Sequence, residues 1–146
     1  METRRANILL VTNDQHRFDF IEGGPVAALR TPNVLRLRRE GVTLANAMSS
    51  CPLCVPTRFT WVYGLRASMG NGAWGAHDPE WPRGLRSMPQ VLQANGYRTA
   101  ISGKIHSHSG LNRLNLCAQR DHIHARGFDD VFEVAGKSML MWHDCE

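Results

Sequence analysis

Cys54, Arg58, Asp14, Lys104 and His106 are residues whose types and spacing suit chemistry on a bound anion. The run Cys54-Val55-Pro56-Thr57-Arg58 sets a cysteine just ahead of a helix start, because proline suits the first helical turn. Main-chain N–H groups and the helix dipole favour negative charge at that point. Arg58 follows one helical turn along, so its guanidinium can face the same anion. Asp14, with Asn13 beside it, closes a short apolar run and offers hard oxygen suited to a divalent cation such as calcium. Lys104 and His106 stand two apart, where an ammonium and an imidazole could neutralise charge on a leaving oxygen. Plainer readings compete: an inert buried thiol for Cys54, a turn residue for Asp14, and solvated loop residues for Lys104 and His106. His108 completes an H-x-H pattern, but no third or fourth ligand has zinc spacing, and it reads as surface. Cys51 and Cys54 also spell C-P-L-C, a candidate redox pair. That reading leaves Asp14 and Gly103-Lys104-Ile105-His106 without a task.

The elements needed to position these groups indicate an α/β fold with a largely parallel sheet flanked by helices. Residues 7–12 are apolar and β-branched, which predicts a buried parallel strand delivering Asn13 and Asp14 at its carboxyl end. Thr31 and Pro32 open a helix running to Arg39 or Glu40, with Gly41 expected as a left-handed cap. Residues 42–48 read as a second strand. Pro56 opens the next helix, Phe59, Val62 and Tyr63 recur at helical spacing, and Gly64 stops it. Residues 65–86, with many Gly and Pro and scattered Trp, read as a loop. Ser87 starts a helix that runs through Asn95 and closes at Gly96. Residues 97–102 form a third strand, 106–126 read as polar and irregular, and 127–132 return to a strand.

The match around Cys54 extends outward. Thr60 and Gly64 follow it; Asn7-Ile8-Leu9-Leu10-Val11-Thr12-Asn13-Asp14-Gln15, Thr31-Pro32-Asn33, Glu40-Gly41-Val42 and Asn46-Ala47 precede it. Gly96-Tyr97-Arg98-Thr99 and Gly103-Lys104-Ile105-His106 come after. In this order the chain resembles the N-terminal half of a type I sulfatase, in the alkaline-phosphatase-like superfamily. The resemblance implies that Cys54 is oxidised to formylglycine by a formylglycine-generating or other maturation enzyme, and that the hydrate of this aldehyde is the nucleophile. It implies Arg58 as support for that group, Asp14 and Asn13 as ligands of a divalent metal, most simply Ca2+, and Lys104 with His106 as sulfate contacts. The implied substrate is a sulfated small molecule or carbohydrate. Three departures stand out. Thr57 occupies a position where serine is usual, Asn13 replaces one of two adjacent aspartates, and residues 66–71 lack a histidine, with His77 arriving late. The family's remaining metal ligands, a further basic residue on the sulfate and its general acid belong to its C-terminal half. Residues 1–146 therefore read as a partial N-terminal catalytic domain, a truncated gene or fragment. Hydrolysis of a phosphonate or phosphate monoester is the alternative within the superfamily, and a catalytically inactive fragment the alternative of another class.

Composition fits this picture. The 146 residues are 42% hydrophobic and 21% charged, enough for one packed domain. The net charge of +4 is dispersed; Arg36, Arg38 and Arg39 are the one basic cluster and fall on a helix, as a solvated face. Nucleic-acid binding has no motif behind it. The N-terminal apolar run, Ile8 to Val11, is too short for a signal peptide or a membrane span, so the expectation is a cytoplasmic protein with no membrane partner. Four cysteines, at 51, 54, 117 and 145, do not make a disulfide scaffold.

Overall fold

A computed structural model describes residues 5–66, 68, 84–105 and 120–134. The chain divides into two compact units, Met1–Ala47 and Met48–Glu146.

The first unit holds one helix among its described residues, α1 (Pro32–Glu40). Its start differs from expectation. Thr31 makes no side-chain cap; instead its hydroxyl accepts from the Glu22 N–H at 2.9 Å and its own N–H donates to the Glu22 carboxylate at 3.1 Å. This reciprocal pair pins the helix start to the preceding loop. Gly41 ends the helix in an extended conformation (φ −124°, ψ −163°), not the left-handed cap expected, because its N–H still reaches Leu37 O at 2.9 Å and completes the last turn. Arg36, Arg38 and Arg39 are exposed, as a solvated face should be, and the last two complement the helix dipole. Residues 7–12 and 42–48 form no strand; Leu9 and Val42 are 87% and 91% exposed. A strand exists only as part of a ladder, and the described residues of this unit offer 7–12 no partner strand.

The second unit carries α2 (Cys54–Tyr63), α3 (Met88–Ala94), β1 (Ala100–Gly103), α4 (Arg120–His124) and β2 (Asp130–Glu133). Strands β1 and β2 run parallel, with Ala100 opposite Asp130 and Gly103 opposite Glu133. The return path between parallel strands must be long, and α4 lies on it. This short helix interrupts a stretch expected to be irregular. Ile123 is what it contributes, fully buried in the core with Ile105, Phe128 and Val131. Helix α2 packs on α3, with Phe59 wholly buried and stacked at a tilt on Tyr63, ring centroids 5.1 Å apart.

Helix α3 begins with a full capping box. Ser87 Oγ accepts from the Gln90 N–H and Gln90 Oε1 accepts from the Ser87 N–H. The same two side chains grip the loop after α4: Ser87 Oγ donates to Arg126 O at 2.5 Å and Gln90 Nε2 donates to Ala125 O at 2.9 Å. Gly127 sits at that contact with φ +90°, and a Cβ there would lie 2.5 Å from the Gln90 nitrogen. Only glycine meets both demands. Gly127→Ala should therefore destabilise the chain by roughly 2–4 kcal/mol, from backbone strain plus overpacking. Urea unfolding would read this as a lower midpoint at unchanged slope.

Asp129 joins the strands to α3. Its carboxylate accepts from the Thr99 N–H (2.8 Å), the Thr99 hydroxyl (3.0 Å) and Gln93 Nε2 (2.7 Å). Those bonds, the Thr99 N–H first, hold its pKa below the usual carboxylate value, and Arg98 does the same for Asp130 across an exposed ion pair. A depressed folded pKa stabilises fully above the unfolded value of about 4 and is lost as pH falls through the folded one. Asp129→Asn should lower stability at neutral pH and flatten the loss below about pH 4, measured by denaturant titration at several pH values.

Candidate active site

Helix α2 begins at Cys54 itself, two residues before the expected start at Pro56. Proline tolerates any place in a first turn, since N–H groups there have no helical acceptor. Leu53 is the cap residue, extended at φ −123° and ψ 153°, and the first ladder bond runs from the Thr57 N–H to Leu53 O at 3.1 Å. Pro56 has no N–H, so Cys54 and Val55 supply the main-chain donors ahead of the ladder. Gly64 closes the helix in the left-handed conformation, as expected.

A hydroxyl cluster fixes the approach to Cys54. Thr57 Oγ1 donates to Cys51 O at 2.7 Å, Ser49 Oγ donates to the same carbonyl at 3.0 Å, and the two hydroxyls lie 3.2 Å apart. Thr60 Oγ1 donates to Pro56 O and meets Ser50 Oγ at 3.5 Å. None of this was read from the sequence. The signal was there in Ser49, Ser50, Thr57 and Thr60, alcohols bracketing the cysteine on both sides. Threonine at position 57 keeps the hydroxyl that matters.

Three of the expected site residues meet. Lys104 leaves the end of β1, where Gly103 turns the chain at φ +105°. Its Nζ donates to Cys54 Sγ at 3.5 Å. The next residue, Ile105, is buried in the core and anchors the segment. Arg58 is only 9% exposed; its Nε donates to Lys104 O at 3.2 Å and its Nη1 to Cys54 O at 3.1 Å. The guanidinium also lies 5.8 Å from the Trp61 ring. Arg58 was expected to face the anion or to support the group at position 54, and these two donors brace the backbone of the other two residues.

Asn13 and Asp14 belong to the first unit, in a turn where Gln15 has φ +58°, and not at a strand end. Asn13 Nδ2 donates to His16 Nδ1 at 3.2 Å, which fixes that ring's proton on Nε2, donating to Phe20 O at 2.9 Å. Among the described residues no group of three or more His, Cys, Asp or Glu is placed to hold a metal. His106 and His108 lie outside the described residues, as do most of the loop expected over 65–86, His77 included. No helix among the described residues is long and apolar enough to cross a membrane.

A profile of the sulfatase family matches residues 6–146. The chain belongs to the sulfatase family. Its match is to the N-terminal portion of longer relatives, and the α/β fold with parallel strands is that family's. Arylsulfatase D of Homo sapiens is 32% identical over 97% of this chain and 25% of its own length. Choline-sulfatase of Rhizobium meliloti (strain 1021) is 31% identical over 73% of this chain and 20% of its own. The multifunctional alkaline phosphatase superfamily protein PehA of Trinickia caryophylli is 38% identical over 68% of this chain and 20% of its own. The sulfatase chain thus spans a quarter or less of the length of these relatives. No solved structure matches it.

Within this sulfatase-family chain, Arg58→Met should cost about 1.5–3 kcal/mol, because two carbonyls lose a charged donor. Arg58→Lys should recover part of that stability. Both variants should slow iodoacetamide labelling of Cys54 several-fold, as Lys104 loses its fixed position beside the sulfur. Labelling followed by peptide mass spectrometry reads the rate, and chemical denaturation reads the stability.

Proposed function

We propose that the chain carries the nucleophile and the anion contacts of a sulfuric ester hydrolase, with Cys54 converted to formylglycine. The observation behind this reading is the Lys104 ammonium, 3.5 Å from Cys54 Sγ, at the first residue of α2. Here the sulfur stands in for an oxygen of the aldehyde hydrate. The position fits such a group, since an ammonium and a helix start both favour a partly charged oxygen beside them. The hydrate supplies one hydroxyl to attack sulfur as the alcohol leaves, and a second whose collapse expels sulfate and restores the aldehyde.

The chain's own residues do the rest. Lys104 offsets charge on the nucleophile and on the sulfuryl oxygens as it develops. The Cys54 and Val55 N–H groups at the start of α2 favour the same anion. Arg58 positions both by holding the carbonyls of residues 54 and 104. His106, two residues beyond Lys104, is assigned as a second sulfate contact. The substrate class is a sulfated small molecule or carbohydrate, in line with relatives named arylsulfatase, steryl-sulfatase and choline-sulfatase. A maturation enzyme that oxidises Cys54 is the required partner.

The metal assignment goes to Asp14 and Asn13. A carboxylate and an amide oxygen suit Ca2+ chemically, and an ion held there would supply positive charge. Calcium prefers about six to eight oxygens, so these two residues account for one side of its shell. Asp14→Asn should weaken calcium binding in titration calorimetry while shifting stability by less than about 0.5 kcal/mol. Equal binding by both chains would make Asp14 structural.

Hydrolysis of a phosphonate or phosphate monoester is the second reading, in line with 38% identity to a protein named as a multifunctional member of the alkaline phosphatase superfamily. Co-expression with a maturation enzyme, then peptide mass spectrometry, should find formylglycine at Cys54 and intact thiols at Cys51, Cys117 and Cys145. The matured protein, encoded by the full source gene, should turn over a chromogenic aryl sulfate, and Cys54→Ala should abolish that turnover. An unconverted Cys54, beside a control sulfatase that is converted, would remove the mechanism. Turnover of the aryl phosphate alone would transfer the function to the second reading.

A further inference from the structure

The hydrolase reading leaves Cys51 without a task. Its thiol and that of Cys54 are both half-buried. The chain does not run straight between them: the Leu53 N–H donates to Cys51 O at 2.8 Å, folding the segment at Pro52. Thr57 Oγ1, from the second turn of α2, donates to that same carbonyl at 2.7 Å. Cys51 is therefore held against the start of the helix on which Cys54 is the first residue. Cys54, at a helix N-terminus and with an ammonium 3.5 Å from its sulfur, is placed as the attacking sulfur. Cys51, three residues upstream, has the place of a resolving thiol.

We propose that in the unconverted chain Cys54 and Cys51 close an internal disulfide under peroxide, and that this bridge withholds Cys54 from conversion to formylglycine. The Cys54 thiolate attacks one peroxide oxygen, giving a sulfenic acid and releasing hydroxide, which takes up a proton. The Cys51 sulfur then attacks the sulfenic sulfur, the S–O bond breaks, and a second water leaves with the Cys51 proton. Two thiols lose two electrons and two protons, and one peroxide becomes two waters. The bridge protects Cys54 from irreversible over-oxidation, and reduction by a dithiol restores the maturation substrate. The effect on maturation rests on the formylglycine reading; the bridge itself does not.

The test uses the whole chain expressed without a maturation enzyme. Hydrogen peroxide is added, remaining thiols are alkylated, and trypsin releases residues 40–58, a peptide holding Cys51 and Cys54 and no other cysteine. The expected major product is this peptide short of two hydrogens and unalkylated. Cys51→Ser and Cys51→Ala should instead give over-oxidised Cys54, and Lys104→Met should slow bridge formation several-fold. A Cys54 bridge to Cys117 or Cys145, or sulfinic acid at Cys54 in the natural chain, would overturn the proposal. In co-expression under oxidising conditions, the natural chain should mature several-fold less than when dithiothreitol is added, whereas added dithiothreitol should not restore Cys51→Ser once its Cys54 is over-oxidised. Equal yields of the natural chain with and without dithiothreitol would overturn the withholding of Cys54 from conversion. Absence of formylglycine even under reduction, with the bridge still formed, would sink the formylglycine reading and leave the disulfide standing.

Discussion

A single buried guanidinium holds Cys54 and Lys104 in register. Residues 54 and 104 are 50 apart in sequence, and no strand pairing joins them among the described residues. Arg58 connects them by donating to both carbonyls. Arginine is the side chain fitted to this, because its planar fork presents several donors in fixed directions and stays charged when buried. Burying that charge is tolerable only with its hydrogen bonds made. The energetic demand of Arg58 and the geometric demand of the site are thus met by the same two carbonyls. A lysine could meet one of them with a point charge but not hold the angle between both.

That brace works only if β1 ends in a fixed place, and a second polar assembly sees to this. Thr99 opens the approach to β1 and is nearly buried; its hydroxyl donates to Gly127 O at 2.5 Å, and its carbonyl accepts from the Asp129 and Asp130 N–H groups. Asp129 passes the constraint to α3 through Gln93, while Ser87 and Gln90 clamp α3 to residues 125 and 126. At the far end of the strand the Val134 N–H donates to Gly103 O at 2.9 Å. Lys104 therefore leaves a segment anchored on both sides, with Ile105 in the core just beyond. Among the described residues this core cluster comprises Ile105, Ile123, Phe128 and Val131, and the polar ties add direction to its packing.

The elements legible in the sequence were those written in local chemistry. The helices starting at Pro32 and Met88 follow from proline and, for the second, a Ser-x-x-Gln cap, and the stop at Gly64 follows from glycine's tolerance of positive φ. What failed depends on partners. Residues 7–12 have strand composition, but composition cannot supply a ladder. Helix α4 carries a single buried apolar residue, Ile123, too little for a periodic signal. Gly41 looked like a left-handed cap, yet the bond to Leu37 O closed the helix with an extended backbone. At the site, the encounter of Cys54 with Lys104 followed from the family resemblance rather than from any local pattern. The role of Arg58 shows the limit most clearly. Helical spacing put it on the same face as Cys54, but spacing cannot tell a guanidinium aimed at an anion from one aimed at a carbonyl.

This division of labour bears on selectivity. With two of its donors committed to the backbone, Arg58 gives the site shape, while Lys104 is the cation seen against the nucleophile position. An ammonium is a compact charge on a flexible stem, and it imposes no bidentate geometry on the group it meets. A sulfuryl and a phosphoryl group both present tetrahedral oxygens, so in the proposed reaction an ammonium such as that of Lys104 would suit either. Discrimination between them must depend on total positive charge, since a phosphate monoester carries more negative charge than a sulfate ester. The arrangement of residues 49 to 60 beside Lys104 therefore does not by itself choose between the two esters proposed.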